Sequence, residues 1–342
     1  MIILSFNSGP GWEPIAEMAS LAAELFDAEH VILDSRKPST WAQLELILLK
    51  RQKTSKPEAC LLIAPIPTAL LNLIHMPGWR KRFSYIAAWV IDSYWIDLIP
   101  KSIKLSHHFD HVFITTEEDI PEWIRAMNTP TSCLAWGSDV LRLGGTGQAR
   151  TWDLTRIGRQ PLEWDDDAKT AQLCLQQNIR FHGRIKGTDP TVKNQVLLTQ
   201  HYQQTKFLLA FSNAAHRSTH THSVRQYITA RWTDALACGA IVAGIPPKEP
   251  GIDRLLWEGA TLDLKTTQIE DGLQVISEAV RAWKPEQAAK NYQLSLERLD
   301  WRWRFAEIAL VLNESPIRLA DDIKLLKQRI ADTKGKPANF LN

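Results

Sequence analysis

Arg231 and Asp234 lie three positions apart in the stretch Gln226–Pro247, QYITARWTDALACGAIVAGIPP. On a helix closed by Gly239 they share one face. A guanidinium there can grip phosphate oxygens in bidentate fashion. A carboxylate one turn on can accept from both hydroxyls of a ribose. The helix N-terminus adds free N–H groups and partial positive charge. One helix would then hold a diphosphate and its pentose. Taken alone, the same two residues serve equally well as an i,i+3 pair on a solvated face.

The run just before this helix, HRSTHTH from His216 to His222, is polar and basic. Ser218, Thr219 and Arg225 offer donors to phosphate, a nearby histidine can offset the charge of a departing diphosphate, and Tyr227 joins the same donor-binding set. Three histidines at these spacings are a weak zinc candidate, because no cysteine or carboxylate completes the site. Glu163–Asp167, EWDDD, is acidic but opens a helix, where the dipole favours acids. It is read as helix chemistry rather than as a metal site.

The first half of the chain holds the candidates for acid–base work. Asp92 follows the apolar run Ala87–Ile91 and precedes Ser93, Tyr94 and Trp95. Burial among aromatic rings would raise its pKa toward that of a general base for an acceptor hydroxyl; the competing role is a turn-capping aspartate. His107 and His108 are second choices. Gly9 and Gly11 would let an acceptor approach the backbone at a strand's carboxyl end. Tyr94 and Trp95 would stack on a sugar ring or fill the core.

Short apolar runs alternating with helical patterns must position these groups. Strands are expected at 1–6, 30–33, 60–64, 85–91, 111–115 and 131–134, with helices at 12–26, 41–50 and from about 117. After a glycine-rich crossing near 144–147 the rhythm restarts, with strands at 154–157, 179–182, 206–212, 240–243 and 260–262. Helices are expected at 165–176, capped by Asp165, and at 192–203, 227–238 and 269–283, then throughout 285–334. The pattern predicts an α/β protein of two Rossmann-like domains with a helical C-terminal tail. The boundaries read as 1–145 for an acceptor domain, 146–315 for a donor domain and 316–342 for a tail packing back on the first.

Composition sets limits. The 342 residues carry a formal net charge of +2, too weak a balance to argue for nucleic acid as a partner. Four scattered cysteines with no C-x-x-C pair suit reduced thiols in the cytoplasm. The N-terminus reads as a strand rather than a signal peptide, and no apolar run is long enough to span a bilayer. The segment 41–53, with Trp41, Leu44 and Leu46–Leu49 before Lys50, Arg51 and Lys53, is read as a core-packing helix with a solvated basic end. Its second reading is peripheral contact with an anionic inner-membrane surface.

DALACGAIVAG, from Asp234 to Gly244, resembles the E-A-L-A-C-G-x-P-V segment of group-one glycosyltransferases of the GT-B fold. The R-x-x-D spacing resembles the R-x-x-E-x-x-A-x-G pattern of CgeB-like glycosyltransferases. Gly158-Arg159 at a strand end, HVFITT at His111–Thr116 and LAWGSD at Leu134–Asp139 resemble further landmarks of that fold. The resemblance implies two facing Rossmann-like domains and transfer from a nucleotide-sugar donor, with Asp234 on the ribose and Arg231 and Arg159 on the diphosphate. It implies no bound metal and no cofactor beyond the donor, a glycan, lipid-linked or small-molecule acceptor, and closure of the domains around the reactants. The chain departs in having Asp234 where Glu is usual, Gln226 where a second acid is common, and Ile241 for proline. An epimerase or hydrolase on the same fold and a non-catalytic nucleotide-sugar binder are the alternatives.

Overall fold

Runs that are apolar at nearly every position form parallel strands covered on both faces. β1 (Ile2–Phe6), β2 (Glu29–Leu33), β3 (Ala59–Ala64), β4 (Tyr85–Val90), β5 (His111–Ile114) and β6 (Thr131–Cys133) make a six-stranded parallel sheet in the order β2-β1-β3-β4-β5-β6. Its helices are α1 (Glu13–Phe26), α2 (Thr40–Leu48), α3 (Trp79–Arg82), α4 (Lys101–Lys104) and α5 (Ile120–Met127). This is a computed structural model, and it describes residues 1–6, 12–52, 54–146, 149–185, 191–215, 221–222, 224–248 and 251–334, with backbone alone over 191–195.

The second half repeats the scheme. After α6 (Val140–Leu143) come β7 (Trp152–Arg156), α7 (Asp167–Gln176), β8 (Phe181–His182), α8 (Thr191–Gln203), β9 (Thr205–Leu209), α9 (Ala230–Ala237), β10 (Ile241–Gly244), α10 (Ile252–Leu255), β11 (Thr261–Asp263) and α11 (Ile269–Ala282). The parallel sheet runs β11-β10-β9-β7-β8. In both sheets the first strand lies between the second and the third, so the winding reverses at that point. The carboxyl ends of β1 and β3, and of β7 and β9, flank the crevice where open α/β sheets bind ligands. Helices α12 (Pro285–Arg298), α13 (Trp301–Leu312) and α14 (Ile317–Lys334) follow.

The chain divides into one unit of Met1–Ala135 with Arg302–Ile323 and a second of Trp136–Trp301 with Lys324–Asn342. The first unit therefore ends before the expected 145 and takes back residues that the sequence shares between the donor domain and the tail. Side chains explain this. Phe305 meets Phe26 edge-on at 6.3 Å between ring centroids. Arg304 donates to the Ala135 carbonyl at 3.1 Å, and Arg302 to Asp322 at 2.8 Å. Helical periodicity in 285–334 reports a buried face but not the sheet it covers.

Three local expectations are corrected. α9 begins at Ala230 rather than at Tyr227, because Thr229, β-branched and extended, is its N-cap residue. Asp166, not Asp165, caps α7, accepting from Ala168 N at 2.9 Å and Lys169 N at 3.1 Å. Helix α2 does not pack into the core along its apolar length; only Leu46 is buried.

Candidate functional site

In the second unit the carboxyl ends of β7 and β9 lie side by side at the winding reversal, the position where open α/β sheets bind ligands. β7 runs out into Ile157-Gly158-Arg159, where Gly158 takes a positive φ of 73°. Arg231, in the first turn of α9, donates from Nη1 to the Ile157 carbonyl at 3.2 Å and the Arg159 carbonyl at 2.8 Å. A Cβ at position 158 would meet Arg231 Cδ at 3.1 Å. The turn thus needs glycine both for its φ and for the arginine lying across it. Burial lowers the Arg231 pKa.

Around this turn, several buried polar atoms have no hydrogen-bond partner among the described residues. Gln160 gives its amide N–H to the carbonyls of Leu209 at 3.0 Å and Ile157 at 3.3 Å, leaving its Oε1 unsatisfied. Ser212 Oγ and Asn213 Oδ1, just beyond β9, are also unsatisfied. Asn213 spends its Nδ2 on the carbonyls of Arg225 and His222. Thr229 Oγ1, at the N-cap of α9, makes no cap bond and has no partner among the described residues. Each orphan costs about 1–3 kcal/mol unless a ligand or water meets it. β9 and β10 close tightly beside them, since a Cβ on Gly244 would fall 1.7 Å from the Ala210 oxygen.

Asp234 is half-buried, one turn beyond Arg231. The buried Ser138 hydroxyl hydrogen-bonds to its Oδ1 and to Thr233 Oγ1, and Thr233 in turn donates to the Gly137 carbonyl at 3.0 Å. The sequence reading missed Ser138 as a partner of Asp234, although it singled out the LAWGSD run that contains it. Tyr202 is buried nearby; burial first, then the Asp234 charge, raise its pKa.

The remaining donor-side candidates lie before α9. Arg225 gives its backbone N–H to His222 Nδ1 at 2.9 Å, and Tyr227 is half-buried in the segment leading to Thr229. Gln226 accepts from Lys248 N at 3.1 Å, tying this segment to the loop after β10. Ser218 and Thr219 lie outside the described residues, as do His216, His220, Gly9 and Gly11.

In the first unit, Asp92 stands just past the carboxyl end of β4, with its N–H on the Pro65 carbonyl at 2.8 Å. Burial pushes its pKa up to about 7, while a hydrogen bond with Tyr94 pulls the other way. The turn is pinned from outside. Ser93 Oγ lies 3.0 Å from Thr115 Oγ1, and Trp123 Nε1 donates to the Ser93 carbonyl at 3.0 Å. Tyr94 is only 3% exposed, so its ring presents no open face to a sugar. Trp95 is half-buried, 5.6 Å from the Tyr94 ring.

His107 is not brought to Asp92. It sits in the loop entering β5, at the amino edge of the parallel sheet, whereas Asp92 sits at the carboxyl edge. His108 is packed away, with Nε2 2.7 Å from the Leu46 carbonyl, and burial brings its pKa down to about 4.

Two acids of Glu163–Asp167 are engaged by arginine, and Asp166 caps α7. The fully buried Arg156 pairs with both Asp165 and Asp167, and Arg184 adds a second contact to Asp165 at 3.0 Å. Among the described residues, no group of three or more His, Cys, Asp or Glu is placed to hold a metal ion.

No family model matches the chain, and no curated protein matches it in sequence. Solved structures do match. Anabaena Alr3699/HepE in complex with UDP-glucose, and the same protein with UDP and glucose, each align over 92% of this chain and 99% of theirs, at 12% identity and a TM-score of 0.53. The likeness shows the fold: α/β, with two Rossmann-like domains of the GT-B class and a helical C-terminal region.

Proposed function

We propose that the chain is a glycosyltransferase that moves a sugar from a nucleoside-diphosphate sugar to an acceptor hydroxyl, in the making of a glycan, a glycolipid or a glycosylated metabolite. The carrying observation is the unsatisfied set of Gln160, Ser212, Asn213 and Thr229 at the winding reversal of the second sheet, beside the Gly158–Arg159 turn. Buried acceptors and hydroxyls in such a crevice suit the hydrogen-bonding edge of a nucleobase and the hydroxyls of a nucleotide. That the HepE structure of like fold was solved with UDP-glucose supports the choice of ligand class.

In this reading Asp234, oriented by Ser138, accepts from the ribose hydroxyls. The turn held by Arg231 presents Arg159 to the diphosphate, and the N-terminus of α9 adds its dipole. The acceptor oxygen bonds to the anomeric carbon as the carbon–oxygen bond to the diphosphate breaks. The leaving group keeps the electron pair, stabilised by fixed positive charge rather than by a metal ion. Asp92 is the group of the first unit suited to take the acceptor proton, since a base is most effective with a pKa near the working pH. The chain works without a further cofactor.

The test is turnover. The purified chain is incubated with a panel of nucleoside-diphosphate sugars, with and without candidate acceptors, and the released nucleoside diphosphate and glycosylated product are followed by mass spectrometry. Acceptor-dependent release with a product heavier by one sugar supports the proposal. Release that ignores the acceptor, or isomerised donor, would replace it with a hydrolase or an epimerase.

A further inference from the structure

Helix α2 turns its apolar side outward. Trp41 is 80% exposed and Leu48 67%, with Leu44 between them on the same face, while Leu46 on the opposite side is 2% exposed and anchors the helix. Ile47 and Leu49 are also exposed, and Leu105, just past the neighbouring α4, is 62% exposed. An exposed tryptophan in line with leucines on a surface helix is a feature to be explained rather than a scattered apolar residue.

The surroundings are basic. Helix α4 packs against α2 and carries Lys101 and Lys104. Helix α3 carries Lys81 beside Arg80, whose guanidinium reaches the Glu45 carbonyl of α2 at 2.9 Å. Lys50 follows α2 directly. Three nearby acids are held by arginines: Glu45 by Arg80 at 3.8 Å, Glu58 by Arg82 at 3.3 Å, and Asp110 by Arg51. Lys50, Lys81, Lys101 and Lys104 make no ion pair among the described residues. The topology gathers these groups, since the chain leaving α2, α3 and α4 enters β3, β4 and β5 from the amino edge of the sheet. Asp92 lies at the other edge.

We propose that this face of the first unit, centred on Trp41, Leu44 and Leu48 and rimmed by Lys50, Lys81, Lys101 and Lys104, seats the protein on an anionic lipid surface. The apolar stripe enters the headgroup boundary, where tryptophan is favoured, and the lysines meet the lipid phosphates. Charge decides against a second copy of the chain as the occupant. Two such faces brought together would oppose lysine to lysine, whereas an anionic bilayer complements them. This inference stands apart from the sugar-transfer reading and needs no turnover for its test.

The full chain is sedimented with vesicles of phosphatidylcholine alone and with vesicles of phosphatidylcholine and phosphatidylglycerol in equal parts. Binding to the anionic vesicles only, weakening as salt is raised, is the expected result. W41E/L48E is expected to lower that binding at least about tenfold, and K101E/K104E to lower it to a similar degree. L175E, on exposed α7 of the second unit, should bind as the parent does. W41S is the milder variant should the double glutamate change fail to fold, and it too should bind less. Absence of binding at low salt, or equal binding by folded W41E/L48E or W41S and the parent, would overturn the proposal. So would self-association in light scattering that W41E/L48E abolishes while no variant touches vesicles.

Discussion

The guanidinium of Arg231 donates to the carbonyl oxygen of Arg159 across 2.8 Å and so braces the turn that ends β7. Removing it should therefore act on stability and on donor binding together. Arg231→Ala is expected to cost about 1.5–3 kcal/mol, the range for hydrogen bonds to a charged donor, read as a lower midpoint in denaturant. Arg231→Lys should recover only part of this, because an ammonium cannot reproduce the planar fork. A variant as stable as the parent would show that the brace carries no energy.

Gly158 lies under that arginine at a positive φ. Gly158→Ala is expected to destabilise by roughly 1 kcal/mol from backbone strain alone, and to weaken nucleotide binding by displacing the guanidinium. Calorimetric titration of the variant against nucleoside diphosphates, beside its melting curve, separates the two effects.

Asp92 gives a pH prediction with a definite sign. Its folded pKa of about 7 lies above the ordinary carboxylate value, so between these the folded state binds more protons than the unfolded. Stability should fall as pH rises through that window. Asp92→Asn should then stabilise the protein above pH 7 by an amount on the order of 1–3 kcal/mol, with no gain below about pH 4. In turnover, the parent should show an acidic limb near its pKa that the variant lacks, along with a rate loss of about 100-fold or more. Identical melting curves at pH 8, or an unchanged rate profile, would remove Asp92 from the role of base.

The arginine contacts of Asp165 and Asp167 bear on metal dependence. Chelation with EDTA is expected to leave turnover unchanged. Arg156→Ala, by contrast, should destabilise by about 1.5–3 kcal/mol, the range for losing hydrogen bonds to a charged donor, since the carboxylates it leaves behind are part-exposed to water. A chelator-sensitive rate restored by a divalent cation would contradict the metal-free leaving-group chemistry.

Much of the fold was legible because buried parallel strands announce themselves as apolar runs such as Ala59–Ala64, and because Gly239 marks a helix end. The strand order and the assignment of Arg302–Ile323 to the first unit were not, since both depend on contacts between residues distant in sequence, such as Phe26 with Phe305. For the candidate site, the pattern around Arg231 and Asp234 marked a helix, and the apolar run before Asp92 marked its place past a strand's carboxyl end. The hydrogen bond of Ser138 to Asp234, and the orphaned atoms of Gln160 and Asn213, arise from loops that no periodicity describes. His107 looked eligible only because sequence distance hides which edge of a sheet a loop occupies. The outward stripe of α2 failed the core reading for a related reason: an apolar pattern fixes which side chains share a face, not whether anything covers it.

The second unit is expected to hold a nucleoside diphosphate through Asp234 at the carboxyl ends of β7 and β9. The most direct test is a thermal-shift series over nucleoside diphosphates for the parent and Asp234→Ala. One base should raise the parent's melting temperature in a concentration-dependent way, and the shift should shrink or vanish in the variant. No shift with any base, or the same shift in both proteins, would contradict the account.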